Sequence, residues 1–316
     1  MTETRWAVLG SANIAAKAFL PAMRAAGGRA VVVGSRNPDR AREWADANQV
    51  ERVADYDGAL GASDVDAVYI ALPNHEHTAW AARAASTGRA VLCEKPLGVD
   101  TTDTGRLLAG ISADTLLWEA FVFPFHPQTA LLRSQLDRLG RVREISSEFH
   151  FTAPDPGNIR WQAGLGGGAL LDVGCYCVRL ARLLFGSEPV DVAARAFTAH
   201  GVDAEVAAIV DFPAEQRLVM SVGMRGAPST YTRIIGDQGE LRVANPFHPR
   251  PDSTVQFCAD GDVVEQWTAD PRPAFQCGVE HVQAVVRGEQ EPRHLAGTDS
   301  FGNARTLDLI AAAAAA

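Results

Sequence analysis

No stretch of this 316-residue chain is apolar for long enough to cross a bilayer, and Met1-Thr2-Glu3-Thr4-Arg5 leads straight into a strand with no apolar signal region. These absences leave a cytoplasmic protein without membrane partners as the expectation. Positive charge is not in excess either: 29 Lys+Arg against 38 Asp+Glu give a net charge of −9. That balance argues against a nucleic-acid or anionic-membrane surface, while a local basic pocket for an anionic cofactor remains compatible with it. Cysteine is sparse, five residues without regular spacing, which fits a reducing compartment better than a disulfide framework. Cys175-Tyr176-Cys177 is too tight for the usual zinc spacing, and His75 with His77 lacks further ligands, so no metal is expected. Internal repeats and low-complexity linkers are missing as well.

What is present fits two domains. The length exceeds the usual size of one core, and 47% hydrophobic residues supply ample apolar surface. Trp6-Ala7-Val8-Leu9 reads as a short buried strand followed by Gly10-Ser11-Ala12-Asn13-Ile14-Ala15 and a helical pattern. Strand, tight turn and helix are the context of a dinucleotide loop, although Ala12 and Ala15 replace two of its usual glycines. An ordinary βα turn would satisfy the same residues. The next strand, Ala30 to Gly34, ends in Ser35 and Arg36, with Arg40 one helical turn on. An acid at this place accepts from the 2′-hydroxyl of NAD, whereas arginine favours the 2′-phosphate of NADP, so NADP(H) is expected over NAD(H).

Asp66 to Ala71 forms a further strand that breaks at Leu72-Pro73-Asn74-His75-Glu76-His77, a loop placed to meet the cofactor's ribose and nicotinamide. Helix capping by Asn74 is the plainer alternative for this segment. Ala90-Val91-Leu92-Cys93 then runs into Glu94-Lys95-Pro96, which fixes an amine at the carboxyl edge of the sheet, where open α/β proteins place ligands. With a last strand at Thr115–Glu119, the alternation predicts an N-terminal doubly wound parallel sheet of Rossmann type over 1–120. A third strand near Arg52-Val53-Ala54 is not securely placed by its sequence.

Beyond Ala120 the pattern changes. An aromatic segment, Phe121 to Pro127, precedes a helix and then a long strand through Phe151 with period-two alternation. Gly164-Leu165-Gly166-Gly167-Gly168 leads to a helix from Ala169 to Phe185 on which Asp172 and Tyr176, four apart, share a face. A buried Tyr bonded to a nearby Asp is a common structural arrangement, and it competes with a site. Strand-like runs at Val190–Ala199, Glu205–Phe212, Arg217–Met224, Thr230–Ile235, Glu240–Val243, Thr254–Cys258 and Val263–Trp267 follow. They predict a C-terminal α+β domain over 121–316 with a broad, mainly antiparallel open sheet, whose exposed face suits a homodimer or homotetramer. Helices at Ala274–Val286 and Thr298–Ala312 complete the chain.

The Gly10 loop, Ser35-Arg36, Asn74-His75, Glu94-Lys95-Pro96, Glu119-Ala120-Phe121 with His126-Pro127-Gln128, and Gly166 through Tyr176 together resemble the glucose-fructose oxidoreductase / inositol dehydrogenase / rhizopine-catabolism (Gfo/Idh/MocA) family. Tyrosine at position 176, where many relatives carry histidine, resembles the branch of sugar oxidoreductases, dihydrodiol dehydrogenases and nucleotide-sugar ketoreductases. The resemblance implies NADP(H)-dependent hydride transfer to or from a sugar or keto-sugar, with Lys95, Tyr176 and Asp172 catalytic. It also implies a cis Lys95–Pro96 bond, as in many relatives. The cofactor set would be Gly10, Ala12, Asn13, Ile14, Ser35, Arg36, Arg40, Leu72, Pro73, Asn74, His75, Glu94 and Lys95. The carbohydrate-like substrate would meet Arg160, Trp161, Asp172 and Tyr176. The chemistry is coherent: a reduced carbonyl develops an alkoxide, which an ammonium stabilises while a phenol delivers the proton. A phenol, with an ordinary pKa of about 10, is a poor base at neutral pH, and an adjacent Lys95 cation would lower it. Ala12 departs from the family's loop glycine, and Pro124 stands where relatives often carry arginine. A dihydrodiol dehydrogenase activity and a non-catalytic NADP-binding regulator are the competing functions.

Overall fold

Trp6-Ala7-Val8-Leu9, Val31-Val32-Val33, Val68-Tyr69-Ile70 and Val91-Leu92-Cys93 carry no polar alternation, and every one of these side chains is buried. Such runs form inner parallel strands covered on both faces. The computed structural model describes residues 3–316, so Met1 and Thr2 of the expected first domain lie outside the described residues. Strands β1 (Thr4–Leu9), β2 (Gly28–Gly34), β3 (Arg52–Ala54), β4 (Ala67–Ile70), β5 (Ala90–Cys93) and β6 (Leu117–Glu119) form a parallel sheet in the order β3-β2-β1-β4-β5-β6. This is the doubly wound order of a Rossmann fold, with its switch point between β1 and β4. Between the strands come α1 (Leu20–Ala25, entered through a π turn at Ala15–Phe19), α2 (Pro38–Ala47), α3 (Tyr56–Gly61), α4 (His77–Ala85) and α5 (Thr101–Gly110). Side-chain caps start two of them, Asn37 accepting from Arg40 N and Asp55 from Gly58 N. Asn74 does not cap α4: it lies in a 3-10 turn, Asn74–Glu76, after Pro73, and the helix proper begins at His77.

The second sheet has eight strands in the order β14-β13-β12-β11-β7-β10-β9-β8. Its members are β7 (Val142–Thr152), β8 (Asp191–Ala199), β9 (Val202–Phe212), β10 (Gln216–Gly223), β11 (Arg225–Gly236), β12 (Glu240–Ala244), β13 (Thr254–Ala259) and β14 (Asp262–Thr268). All neighbours are antiparallel except β7 and β10. Helix α6 (Pro127–Gln135) precedes the sheet, and α7 (Cys175–Phe185), entered through a π turn at Leu170–Gly174, packs on β7 and β10. The β7 alternation holds at its centre, where Ile145 and Ser147 are buried while Ser146 and Glu148 are partly exposed. The buried Ser147 hydroxyl is satisfied by Thr232 at 2.8 Å, as a polar group inside a core must be.

By contacts the chain divides into two units, one comprising the chain to Gly98, Thr102–Val122 and Pro273–Ser300, the other Val99–Thr101, Phe123–Arg272 and Phe301–Ala316. The segment 273–300 therefore differs from the sequence boundary at Ala120, because α8 (Ala274–Val286) packs with the Rossmann unit. Its Gln283 is fully buried, accepts from the indole of Trp6 at 3.0 Å and donates to Ala26 O at 2.6 Å. A buried indole N–H needs such an acceptor, and a polar residue on a C-terminal helix supplies it. Helix α9 (Thr298–Ala315) closes the chain. None of the described helices is long and apolar enough to cross a membrane.

Candidate active site

The candidate residues fall into two sets, one in each unit. In the Rossmann unit they gather at the carboxyl edge of the parallel sheet. Gly10 has φ +100°, donates to Gly34 O at 2.9 Å, and a Cβ on it would stand 2.5 Å from Ala71 O. Only glycine lets β1 turn here so close to the β4 loop. Asn13 and Ile14, at the start of the following helical segment, are exposed, and Ala12 is half-buried. At the end of β2, Ser35 Oγ is engaged in the turn with Asn37. The Arg36 side chain is 72% exposed and lies 3.5 Å from Glu76 Oε1. Arg40 is exposed on α2.

The Lys95 turn is held from several sides. Glu94, 8% exposed, accepts from Tyr69 Oη at 2.6 Å, and its other oxygen accepts from Lys95 N at 3.3 Å. Tyr69 is itself stacked on Phe19, with ring centroids 3.9 Å apart. Beyond the cis Lys95–Pro96 bond, Leu97 N donates to Glu119 Oε1 at 2.9 Å, and His77 approaches Pro96 O at 2.7 Å. Two buried carboxylates and a buried imidazole thus fix a segment whose own side chain, Lys95, is half-buried. Lys95 and Lys17 are the chain's two lysines, all other cationic side chains of its basic set being arginine. Cys93, at the end of β5, is fully buried, and burial together with the Glu94 and Glu119 charges pushes its thiol well up. It is an inert core group.

In the second unit Asp172 and Tyr176 span the junction between the π turn and α7. Tyr176, 5% exposed, is walled by Phe123, Phe149, Phe247 and His248, with ring centroids 6.3, 5.6, 5.3 and 5.3 Å away. Asp172 accepts from Arg160 Nε at 2.6 Å, so the salt bridge ties the helix to the segment before the glycine run. Trp161 is 7% exposed, and its indole N–H is engaged by Ala153 O at 3.0 Å.

Three supporting residues lie outside the sequence-derived set. Asp203 on β9 accepts from Leu170 N at 2.6 Å and caps the segment that carries Asp172 and Tyr176, although burial pushes its carboxyl up. Gly168, the last residue of the glycine run already read from the sequence, has φ +119° and must be glycine because a Cβ would collide with that carboxylate. His248 reaches Tyr176 because its loop is pinned. Ser253 Oγ accepts from Asn245 Nδ2 at 3.0 Å and from Arg250 N at 2.8 Å, and Phe247 is buried in a stack on Phe149. His77 is the third.

Similarity to known proteins extends over nearly the whole chain. The family described as "Oxidoreductase family, NAD-binding Rossmann fold" matches residues 4–113, and the "GFO/IDH/MocA C-terminal domain" matches 131–242. D-xylose 1-dehydrogenase (NADP(+)) 2 of Haloferax volcanii is 32% identical over 96% of this chain and 95% of its own. Trans-1,2-dihydrobenzene-1,2-diol dehydrogenase of Xenopus laevis is 28% identical over 96% of each. A crystal structure of a 3-ketoreductase from Actinomadura kijaniata in complex with NADP and TDP-benzene superposes with a TM-score of 0.89 at 31% identity, covering 99% of this chain and 98% of that one.

Proposed function

The chain belongs to the GFO/IDH/MocA oxidoreductase family, and from that premise we propose that it transfers a hydride between NADP(H) and a carbinol or carbonyl carbon of a sugar or keto-sugar. The observation that carries the reading is the Lys95 turn at the carboxyl edge of a Rossmann sheet, whose backbone is held by Glu94, Glu119 and His77. Pre-set placement of a cation where negative charge develops is what carbonyl reduction requires. Relatives that use NADP, the xylose dehydrogenase and the ketoreductase complex, support the cofactor.

The residues present fit the dinucleotide. The Gly10 turn leaves no room for a side chain, and Ala12, Asn13 and Ile14 would receive the pyrophosphate. Ser35, Arg36 and Arg40 would receive the 2′-phosphate, and Leu72, Pro73, Asn74, His75 and Glu94 the ribose and nicotinamide. When bound, the cofactor supplies or accepts the hydride. In the reducing direction Tyr176 gives its phenolic proton to the carbonyl oxygen, and Lys95 stabilises the alkoxide as it forms. Asp172, with Arg160 and Trp161, would orient substrate hydroxyls. The second unit would bind substrate and, through its open sheet, a further copy of the chain.

The test is NADPH consumption over a panel of aldoses, keto-sugars and nucleotide-linked keto-sugars. Cyclic diols with NADP+ belong in the same panel, since the phenyl rings around Tyr176 and the dihydrobenzenediol relative favour them as a second reading. Tight NADPH binding without turnover on any of these would contradict the enzyme. Arg36→Ala is expected to reduce the preference for NADP over NAD by about 10- to 100-fold, the equivalent of one charge-assisted hydrogen bond to phosphate. An unchanged ratio of kcat/KM values for the two cofactors would remove Arg36 from the assignment.

A further inference from the structure

His77 opens α4, is 0% exposed, and turns each ring nitrogen toward a backbone carbonyl: Nδ1 is 2.7 Å from Pro96 O and Nε2 is 2.8 Å from Leu72 O. A carbonyl oxygen only accepts. Both contacts are hydrogen bonds only when both ring nitrogens carry protons. A neutral imidazole has one N–H and presents a lone pair to the second oxygen. The two carbonyls belong to different segments. Leu72 begins the loop that runs to His75, and Pro96 immediately follows Lys95. We propose that His77 is a positioning residue for Lys95, a proton-operated clamp that ties the Lys95–Pro96 turn to the Leu72–His75 loop by two arms and releases one arm when a ring proton leaves. The functional consequence rests on the reading above, in which both segments serve the cofactor and the hydride transfer.

Burial pushes His77 below the ordinary histidine value, while the Pro96 and Leu72 carbonyls push it up. The charged groups that act on it are the Lys95 cation across the clamp, which lowers it, and Glu76 in the preceding turn, which raises it. Asp103 of α5 is engaged next door by Thr78 Oγ1 at 2.7 Å. Burial prevails, so the second proton leaves below the ordinary histidine range as pH rises. Below that midpoint both arms are closed, and above it one is open. Cofactor affinity therefore increases as pH falls through the midpoint, by about 10-fold for one charge-assisted arm.

The direct measurement is a nitrogen-15 NMR titration of the ring in the full chain, assigned through bonds from the backbone so that no variant is needed. The expected result is conversion from one protonated ring nitrogen to two as pH falls below the ordinary histidine range. In parallel, NADP+ affinity is measured by calorimetry over the same pH interval for wild type and His77→Gln. The ligand's own 2′-phosphate titrates equally in both, so the ratio of the two affinities is the readout. It should rise about 10-fold toward low pH. A ring that stays singly protonated throughout, or an affinity ratio that does not change with pH, would overturn the clamp. Failure of wild type to bind NADP+ at every pH would instead contradict the proposed function, and the ring titration would then decide the clamp by itself.

Discussion

Tyr176→Phe is expected to lower the rate of carbonyl reduction by about 10²- to 10⁴-fold, the usual contribution of a positioned proton donor. The loss should appear in kcat, with KM little changed, because the proton moves only in the transition state. Packing is a poor alternative explanation for such an effect. The ring sits among Phe123, Phe149, Phe247 and His248 and is 5% exposed, and phenylalanine retains all of those ring contacts. Thermal unfolding of the variant should accordingly differ from wild type by no more than about 1 kcal/mol, the net value of one hydrogen bond. Wild-type turnover in Tyr176→Phe would assign the proton to another source. His150, whose Nε2 lies 3.0 Å from Ser221 Oγ, and water are the candidates.

Lys95→Met should cost about 10²- to 10³-fold in kcat, comparable to the removal of one donor from an oxyanion site. The turn around it is braced without the side chain: Tyr69 holds Glu94, Glu119 holds Leu97 N, and His77 approaches Pro96 O. Loss of the amine should therefore leave the backbone in place, and NADP+ affinity should fall far less than kcat. Lys95→Arg is the informative companion. Arginine keeps the charge, but its planar fork does not replace a compact ammonium in a fixed turn, so little rescue is expected. The natural chain uses arginine at nearly every basic position and lysine at 17 and 95 alone, which fits a requirement for the smaller head. Recovery of most of the activity by Lys95→Arg would reduce the role to charge alone.

Much of the fold was legible because fully buried parallel strands leave continuous apolar runs, as in Val31-Val32-Val33 and Val91-Leu92-Cys93. Strand β3 was hard to place because three residues with exposed Arg52 and half-buried Val53 carry no period. Strand β11 extends back past its expected start at Thr230 to Arg225, because pairing with β7 across an irregularity between Arg225 and Ser229 carries it through Pro228 and Ser229. The parallel pairing of β7 with β10 is set by topology, which alternation within one strand does not encode. The return of α8 to the Rossmann unit hangs on Gln283 meeting Trp6 and Ala26, a long-range match between polar groups with no local signature.

The candidate site divides in the same way. Gly10, Lys95 and Tyr176 announce themselves by local context, a turn after a strand or a face of a helix. The residues that brace them do not. Asp203 caps the Tyr176 segment from another strand, and His77 works through two carbonyl oxygens, which no side-chain pattern reveals. His248 had one faint signal, the flanking Pro246 and Pro249, which mark a stiff loop but not what it approaches.

The most direct test of hydride transfer uses NADPH deuterated at the transferring C4 position with the best carbonyl substrate of the panel. Mass spectrometry of the product should find one deuterium on the new carbinol carbon, and removal of Lys95 or Tyr176 should abolish its appearance at comparable times. Deuterium that stays on the cofactor across keto-sugars and cyclic ketones, although NADPH is bound, would contradict the account.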